Sequence, residues 1–171
     1  GCDKNLADSE EMLGLLVAHG YTITNDETKA DVAVVNTCAF IHDAKEESIA
    51  NILEMARYKE EGTLKVLAVT GCLAQRYKEE IIKEIPEVDV VLGTTSFDDL
   101  LKALDQAFEG EKYLEFKDIS AMPEIESKRM ITTGGHFEYL KIAEGCDKHC
   151  TYCIIPKLRG KYRSVPMEKL I

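Results

Sequence analysis

The 171-residue chain has no run of 18 apolar residues, which excludes a membrane-spanning helix of ordinary length. Its opening, Gly1-Cys2-Asp3-Lys4, lacks the basic and apolar regions of a signal peptide. Internal repeats and low-complexity stretches are missing as well. Basic residues are in the minority, 21 against 31 acids for a net charge of -10, and that balance argues against a general nucleic-acid coat. These absences predict a soluble, intracellular, cytoplasmic protein with no membrane partner. What is present supports a folded chain: 45% hydrophobic residues and a mixed-sign charged share of 30% predict a buried core rather than disorder. The length suits one ordinary domain and part of another.

Six cysteines without secretory features point to metal or catalytic use, because the cytosol keeps thiols reduced. Cys146, Cys150 and Cys153 stand in the run Glu-Gly-Cys-Asp-Lys-His-Cys-Thr-Tyr-Cys. Thiolates suit iron-sulfur clusters, and a C-x3-C-x2-C triplet can wrap three corners of a cubic cluster by local chain geometry, leaving the fourth iron free. An odd number also prevents internal disulfides from using all three. Two other readings stand beside this one. The C-x2-C with nearby His149 could be half of a zinc knuckle, although no second C-x2-C or H-x3-H pair closes a tetrahedral site. The thiols could also carry no metal.

Charge is uneven along the chain. Residues 141–171 hold seven bases (Lys141, Lys148, Lys157, Arg159, Lys161, Arg163, Lys169) against three acids, so this part is +4 and the first 140 residues are -14. A basic segment can meet an anionic cofactor or partner, or simply be solvated.

Asp31 to Cys38, Lys65 to Cys72 and Val88 to Leu92 are short valine-rich runs, the pattern of parallel strands covered on both faces. Helical patterns lie between them: Leu13, Leu16 and Val17; Ile41, Ala44, Ile49, Ile52, Leu53 and Ala56; Ile81, Ile82 and Ile85. Leu100, Ala103, Leu104, Ala107 and Phe108 follow helical spacing behind a candidate capping box, Ser96-x-x-Asp99. Strands alternating with helices predict a doubly wound α/β sheet over 1–110. The stretch 111–135, with Pro123, mixed charges and Gly134-Gly135, reads as an interdomain connection. From 136 to 171 a strand is expected over Phe137 to Ala143, then the cysteine loop, then a last helix capped by Ser164 with Pro166 in its first turn.

Cys38 and Cys72 each follow a predicted strand and precede a helix, which puts both at the carboxyl edge of the sheet, where ligands bind in open α/β folds. Cys2 precedes a helix expected to start near Asp8 or Ser9 and so takes the same position. Helix N-termini favour thiolates and an anionic cluster. The plainer alternative is that cysteines near strand ends are small buried hydrophobes.

The triplet spacing resembles the signature of the radical S-adenosylmethionine superfamily, whose free iron chelates the methionine moiety and whose reduction yields a 5'-deoxyadenosyl radical. Together with Gly1-Cys2-Asp-Lys-Asn-Leu-Ala-Asp-Ser-Glu10, Asn36-Thr37-Cys38, Thr70-Gly71-Cys72 and Ala143 through Ser164, the chain resembles the radical-SAM methylthiotransferase family over nearly its whole length. The resemblance implies a flavodoxin-like parallel-sheet domain holding an auxiliary 4Fe-4S cluster through Cys2, Cys38 and Cys72. It further implies the first elements of a radical-SAM partial (β/α) barrel, with a second 4Fe-4S cluster on Cys146, Cys150 and Cys153.

S-adenosyl-L-methionine would bind the free iron of the second cluster, with Tyr152 placed to contact its adenine or, alternatively, packing the loop. Asp3-Lys4 and the run Ile154 to Ser164 resemble the branch that methylthiolates the β-carbon of an aspartate in ribosomal small-subunit protein twelve. The alternative branch acts on tRNA adenosine, and a non-enzyme alternative is a zinc or Fe-S binding α/β module. Implied partners are the ribosomal protein as substrate, an electron donor such as flavodoxin or ferredoxin, and RNA through a further C-terminal domain. The chain is expected to be an N-terminal fragment, inactive by itself, with 136–171 too short to bury enough surface to order its loop.

Overall fold

The computed structural model describes residues 1–123 and 128–170. The chain begins with helix α1 (Asp3–Ala18), a turn of 3-10 helix and strand β1 (Val32–Thr37). Helix α2 (His42–Glu60) leads to β2 (Val66–Gly71), and the short α3 (Cys72–Tyr77) and α4 (Glu80–Glu84) lead to β3 (Val90–Leu92). Helix α5 (Leu100–Phe108) and β4 (Tyr113–Glu115) complete the sheet. The four strands are parallel and lie side by side in sequence order. The fold is α/β and flavodoxin-like, with helices on both faces.

The strand sequences explain why both faces are covered. Successive side chains of a strand point to opposite sides, so an unbroken apolar run needs cover on each. Val66, Ala68, Val90 and Leu92 pack with Met12, Leu15 and Leu16 of α1 and Leu100, Ala103 and Leu104 of α5. The intervening Leu67, Val69 and Val91 pack on the other face with Ile52 and Ala56 of α2, Leu73 of α3 and Ile81 of α4. The central β2 is buried at every position, whereas the edge strand β1 is mostly half-buried. Each large side chain fully buried here, such as Ile52, Leu67 or Leu104, contributes about 1.5–3 kcal/mol of hydrophobic stabilisation.

Several boundaries differ from expectation. Helix α1 starts at Asp3 rather than near Asp8 or Ser9, because extended Cys2 serves as its N-cap and Asp3 places an acid in the positive first turn. The Ser96-x-x-Asp99 capping box does not form: Phe97–Asp99 is a turn of 3-10 helix, and Ser96 Oγ accepts from the Lys117 amide at 2.9 Å. Tyr113–Glu115, inside the stretch expected to connect two domains, is the fourth strand of the sheet. Residues 124–127 of that stretch lie outside the described residues.

Phe137 to Ile142 is not a strand. Only β5 (Ala143–Glu144) pairs, antiparallel to β6 (Arg163–Ser164); a strand without a ladder partner is unstable in water. Ser164 accordingly sits in β6 rather than capping a helix, and Pro166 precedes a 3-10 turn, Met167–Lys169. Between β5 and β6 lies the short helix α6 (Ile155–Arg159). Among the described residues no helix is long and apolar enough to cross a membrane.

Candidate metal centre

Strand register fixes where the dispersed cysteines go. Thr37 pairs with Gly71 at the carboxyl ends of β1 and β2, so the next residues, Cys38 and Cys72, leave adjacent strands at one level. Cys2 reaches the same edge through α1. Asn5, one turn further on, donates from Nδ2 to Asn36 Oδ1 at 2.7 Å and to the Thr37 carbonyl at 3.3 Å, while Asn36 Nδ2 donates to the Asn5 carbonyl at 2.8 Å. The Thr37 hydroxyl donates to the Thr70 carbonyl and accepts from the Leu73 amide, which ties the two strand ends together. Cys38 is held through its backbone, its amide donating to Ser48 Oγ and its carbonyl accepting from the same hydroxyl.

Gly71 makes the turn into Cys72 possible. Its φ of +91° lies in the region open to glycine, and a Cβ there would stand 2.5 Å from both Asn36 Oδ1 and the Thr37 carbonyl. Gly145 has the same role before Cys146, with φ +73° and the Lys161 carbonyl 2.0 Å from any added Cβ.

Cys38 and Cys72 are buried and Cys2 is exposed. Burial pushes the Cys72 thiol above its ordinary pKa; the Arg159 guanidinium opposes that push, and Cys38 and Cys2, as neighbouring thiols, add to it. No three cysteines among the described residues bring their sulfurs within 4.8 Å of one another. Three thiolates on a single zinc ion, each about 2.3 Å from it, would sit closer than that. Thiolates that each take a different iron of a cubic cluster stand further apart than that. Three thiolates are, by their chemistry, a donor set that suits an iron-sulfur cluster.

The local triplet is displayed differently. Cys146, its amide bonded to the Gly160 carbonyl at 3.0 Å, and Cys153 are half-buried, and Cys150 is exposed. The Lys148 amide donates to Cys146 Sγ at 3.4 Å, and the Cys153 amide to the Cys150 carbonyl. Tyr152 is 89% exposed, so it does not pack the loop.

A buried ion network joins the two regions. Arg159 of α6 donates from Nη1 to Asp8 of α1 at 2.6 Å and to Glu144 of β5 at 3.2 Å, and from Nε to Cys72 Sγ at 3.4 Å. Lys141 pairs with Asp8 and Glu11, and Lys4 with Glu144. Burial works against the charge on Arg159, but Asp8, Cys72 and Glu144 outweigh it and its pKa stands above the ordinary arginine value. Lys141 is likewise raised, Asp8 and Glu11 outweighing its burial. Nothing in the local sequence announces these pairs; the signal that could have found them is the acid pair Asp8 and Glu11 on one face of α1 with an excess of bases far along the chain.

Two surface concavities, of about 500 Å³ against α2 and about 330 Å³ between α1 and residues 139–143, are lined by no cysteine. The thiols, not these concavities, mark the candidate site: a parallel α/β domain with Cys38 and Cys72 at the carboxyl edge of its sheet. The profile of Uncharacterized protein family UPF0004 matches residues 1–93, more than half of the chain, and the chain belongs to that family.

It is also similar, at 64% identity over its whole length, to the ribosomal protein uS12 methylthiotransferase RimO of Lachnoclostridium phytofermentans. The proteins of that name from Desulforamulus reducens and Clostridioides difficile are each 50% identical over 99% and 100% of the chain. The chain spans 38–39% of the length of these relatives.

Proposed function

We propose that this chain carries the cluster-binding part of a radical S-adenosylmethionine methylthiotransferase that adds a methylthio group to the β-carbon of an aspartate in ribosomal protein uS12. The observation that carries the reading is the placement of Cys38 and Cys72 after the level ends of adjacent strands, with Asn5, one turn after Cys2, bonded to Asn36 and Thr37 there, in a chain that also bears the C-x3-C-x2-C triplet. The names of the relatives support the substrate.

In this reading Cys2, Cys38 and Cys72 hold an auxiliary 4Fe-4S cluster, and Cys146, Cys150 and Cys153 hold the one that binds S-adenosylmethionine. Bound, these groups supply radical and sulfur-transfer chemistry at a carbon that acids and bases do not activate. The chain's own residues position them. Gly71 and the Asn5–Asn36 pair set the auxiliary thiols on the rigid sheet. Exposed Tyr152 is free to lie against the adenine of the nucleoside. In this reading residues 1–110, extended by β4 (Tyr113–Glu115), form the sheet domain and the chain from 136 onward opens the barrel, with an electron donor of the flavodoxin or ferredoxin type acting from the cytoplasm.

The test is anaerobic reconstitution of the chain with iron and sulfide, followed by iron counting, Mössbauer spectra and S-adenosylmethionine binding. The longer protein is then offered uS12 and tRNA separately. One methylthio group on a uS12 aspartate is the expected product. A modified adenosine moves the assignment to the tRNA branch, and a zinc-loaded, iron-free protein removes the enzyme reading altogether.

A further inference from the structure

Arg159 presents a donor that the ion network does not use. The residue is 2% exposed, Nη1 is taken by Asp8 and Glu144, Nε points at Cys72 Sγ, and Nη2 is buried with no hydrogen-bond partner among the described residues. In a planar guanidinium, Nη2 lies on the same edge as Nε-H, the two forming one rigid fork of parallel donors. The free donor is therefore aimed at the space beside the Cys72 sulfur. A charged donor buried bare is costly, and native proteins leave very few. The missing acceptor belongs in that space.

We propose that Arg159 is a positioning residue for the auxiliary site, gripping two neighbouring sulfur atoms with one fork: the Cys72 thiolate through Nε and a second sulfur through Nη2. This rests on the auxiliary-cluster reading above. The second sulfur is anionic and iron-borne, either an inorganic sulfide of the cluster or sulfur held on its open iron. Iron-sulfur potentials respond to hydrogen bonds to their sulfurs, so the fork both orients the cluster and tunes it. Arg159 stands in α6, which begins just after Cys153, so the element following the local triplet reaches the dispersed one.

The test uses the chain with Cys146, Cys150 and Cys153 changed to Ala, so that only the auxiliary cluster loads. With 15N-arginine in place, pulsed EPR of the reduced cluster is expected to show coupling to a guanidinium nitrogen. Arg159→Lys keeps a charge for Asp8 and Glu144 but loses the fork. It is expected to keep about four irons, one cubic cluster, at a lower midpoint potential and without that coupling.

Added inorganic sulfide separates the two sources: an unchanged coupling assigns Nη2 to a cluster sulfide, and an altered one to sulfur on the open iron. A loaded parent protein with no guanidinium coupling overturns the role of Arg159 and leaves the cluster assignment standing. A parent protein that loads no iron overturns both. Since the coupling is read on unaltered Arg159, a variant that fails to fold does not spare the proposal.

Discussion

The sheet domain and the segment after it hold their cysteines by opposite means. Cys38 and Cys72 are far apart in sequence and leave adjacent parallel strands at one level, on a core built from Leu67, Val69, Val91 and their covering helices, with Cys2 at the start of α1. Cys146, Cys150 and Cys153 need no sheet; eight residues of loop bring them together, and their surroundings are polar and open. The first arrangement is set by the packed sheet, and the second owes its docking to Leu158 and to the Arg159 and Lys141 ion pairs. Ligands at a packed sheet edge suit a group that must stay put, and an exposed local loop leaves its thiols open to approach from solvent.

Iron counting breaks that comparison most directly. The reconstituted chain is expected to bind about eight irons as two cubic clusters, and the Cys146, Cys150 and Cys153 triple Ala variant about four. Changing Cys2, Cys38 and Cys72 together should remove the other four. If either triple variant loses all of its iron, or none, the two sites are not independent.

Much of this contrast is legible in the sequence, and the limits are physical. Valine-rich runs announce β1, β2 and β3 because a strand buried on both faces must be apolar throughout. With the strands placed, the edge position of Cys38 and Cys72 follows from the next residue. Strand β4 escapes notice because three residues, Tyr113, Leu114 and Glu115, carry no period amid mixed charge. Residues 136–171 are expected to bury too little surface to order the 146–153 loop, and Cys150 and Tyr152 of that loop are exposed, while Leu158 and Arg159 beyond it are each 2% exposed. Their partners Asp8 and Cys72 lie 151 and 87 residues away from Arg159, a pairing that only tertiary structure sets.

Core truncations sharpen the difference between the two regions. Ile52→Ala removes a fully buried side chain of the sheet domain and should cost about 2–5 kcal/mol of global stability in denaturant unfolding. Leu158→Ala empties an equally buried position, but one contributed by the docked segment. Its expected signature is faster amide exchange over 155–165 with little change at Val66 to Val69. Equal losses of global stability would mean that the two regions unfold as one unit.

A smaller effect follows from Glu10, whose carboxylate accepts from the Thr132 amide and hydroxyl at 2.6 and 2.8 Å and pairs with Arg129. Burial alone would raise its pKa, but the Thr132 bonds and Arg129 outweigh it and hold the group below the usual carboxylate range. A depressed acid stabilises the fold fully above its unfolded pKa and loses that contribution as pH falls through the folded value. Amides of Met130 and Thr132 should therefore lose protection in acid, below the ordinary glutamate pKa, while the sheet holds. Glu10→Gln should flatten that pH response, and an unchanged profile in this variant would assign the acid effect to another group.

The smallest expected change in stability is at Tyr152. With 89% of its surface exposed it buries nothing that Ala would uncover, so Tyr152→Ala should leave the melting point of the metal-free chain within about 0.5 kcal/mol equivalent. Ligand binding should respond much more. A ring stacked on adenine is worth about 1–3 kcal/mol by alanine substitution, roughly 5- to 150-fold in affinity. Calorimetric titration of the reconstituted chain with S-adenosylmethionine measures it, with Tyr152→Phe expected to retain most of the affinity because the face, not the hydroxyl, does the stacking. An unaltered affinity in the Ala variant would take the adenine contact away from Tyr152 and leave the three loop cysteines as the whole of that site.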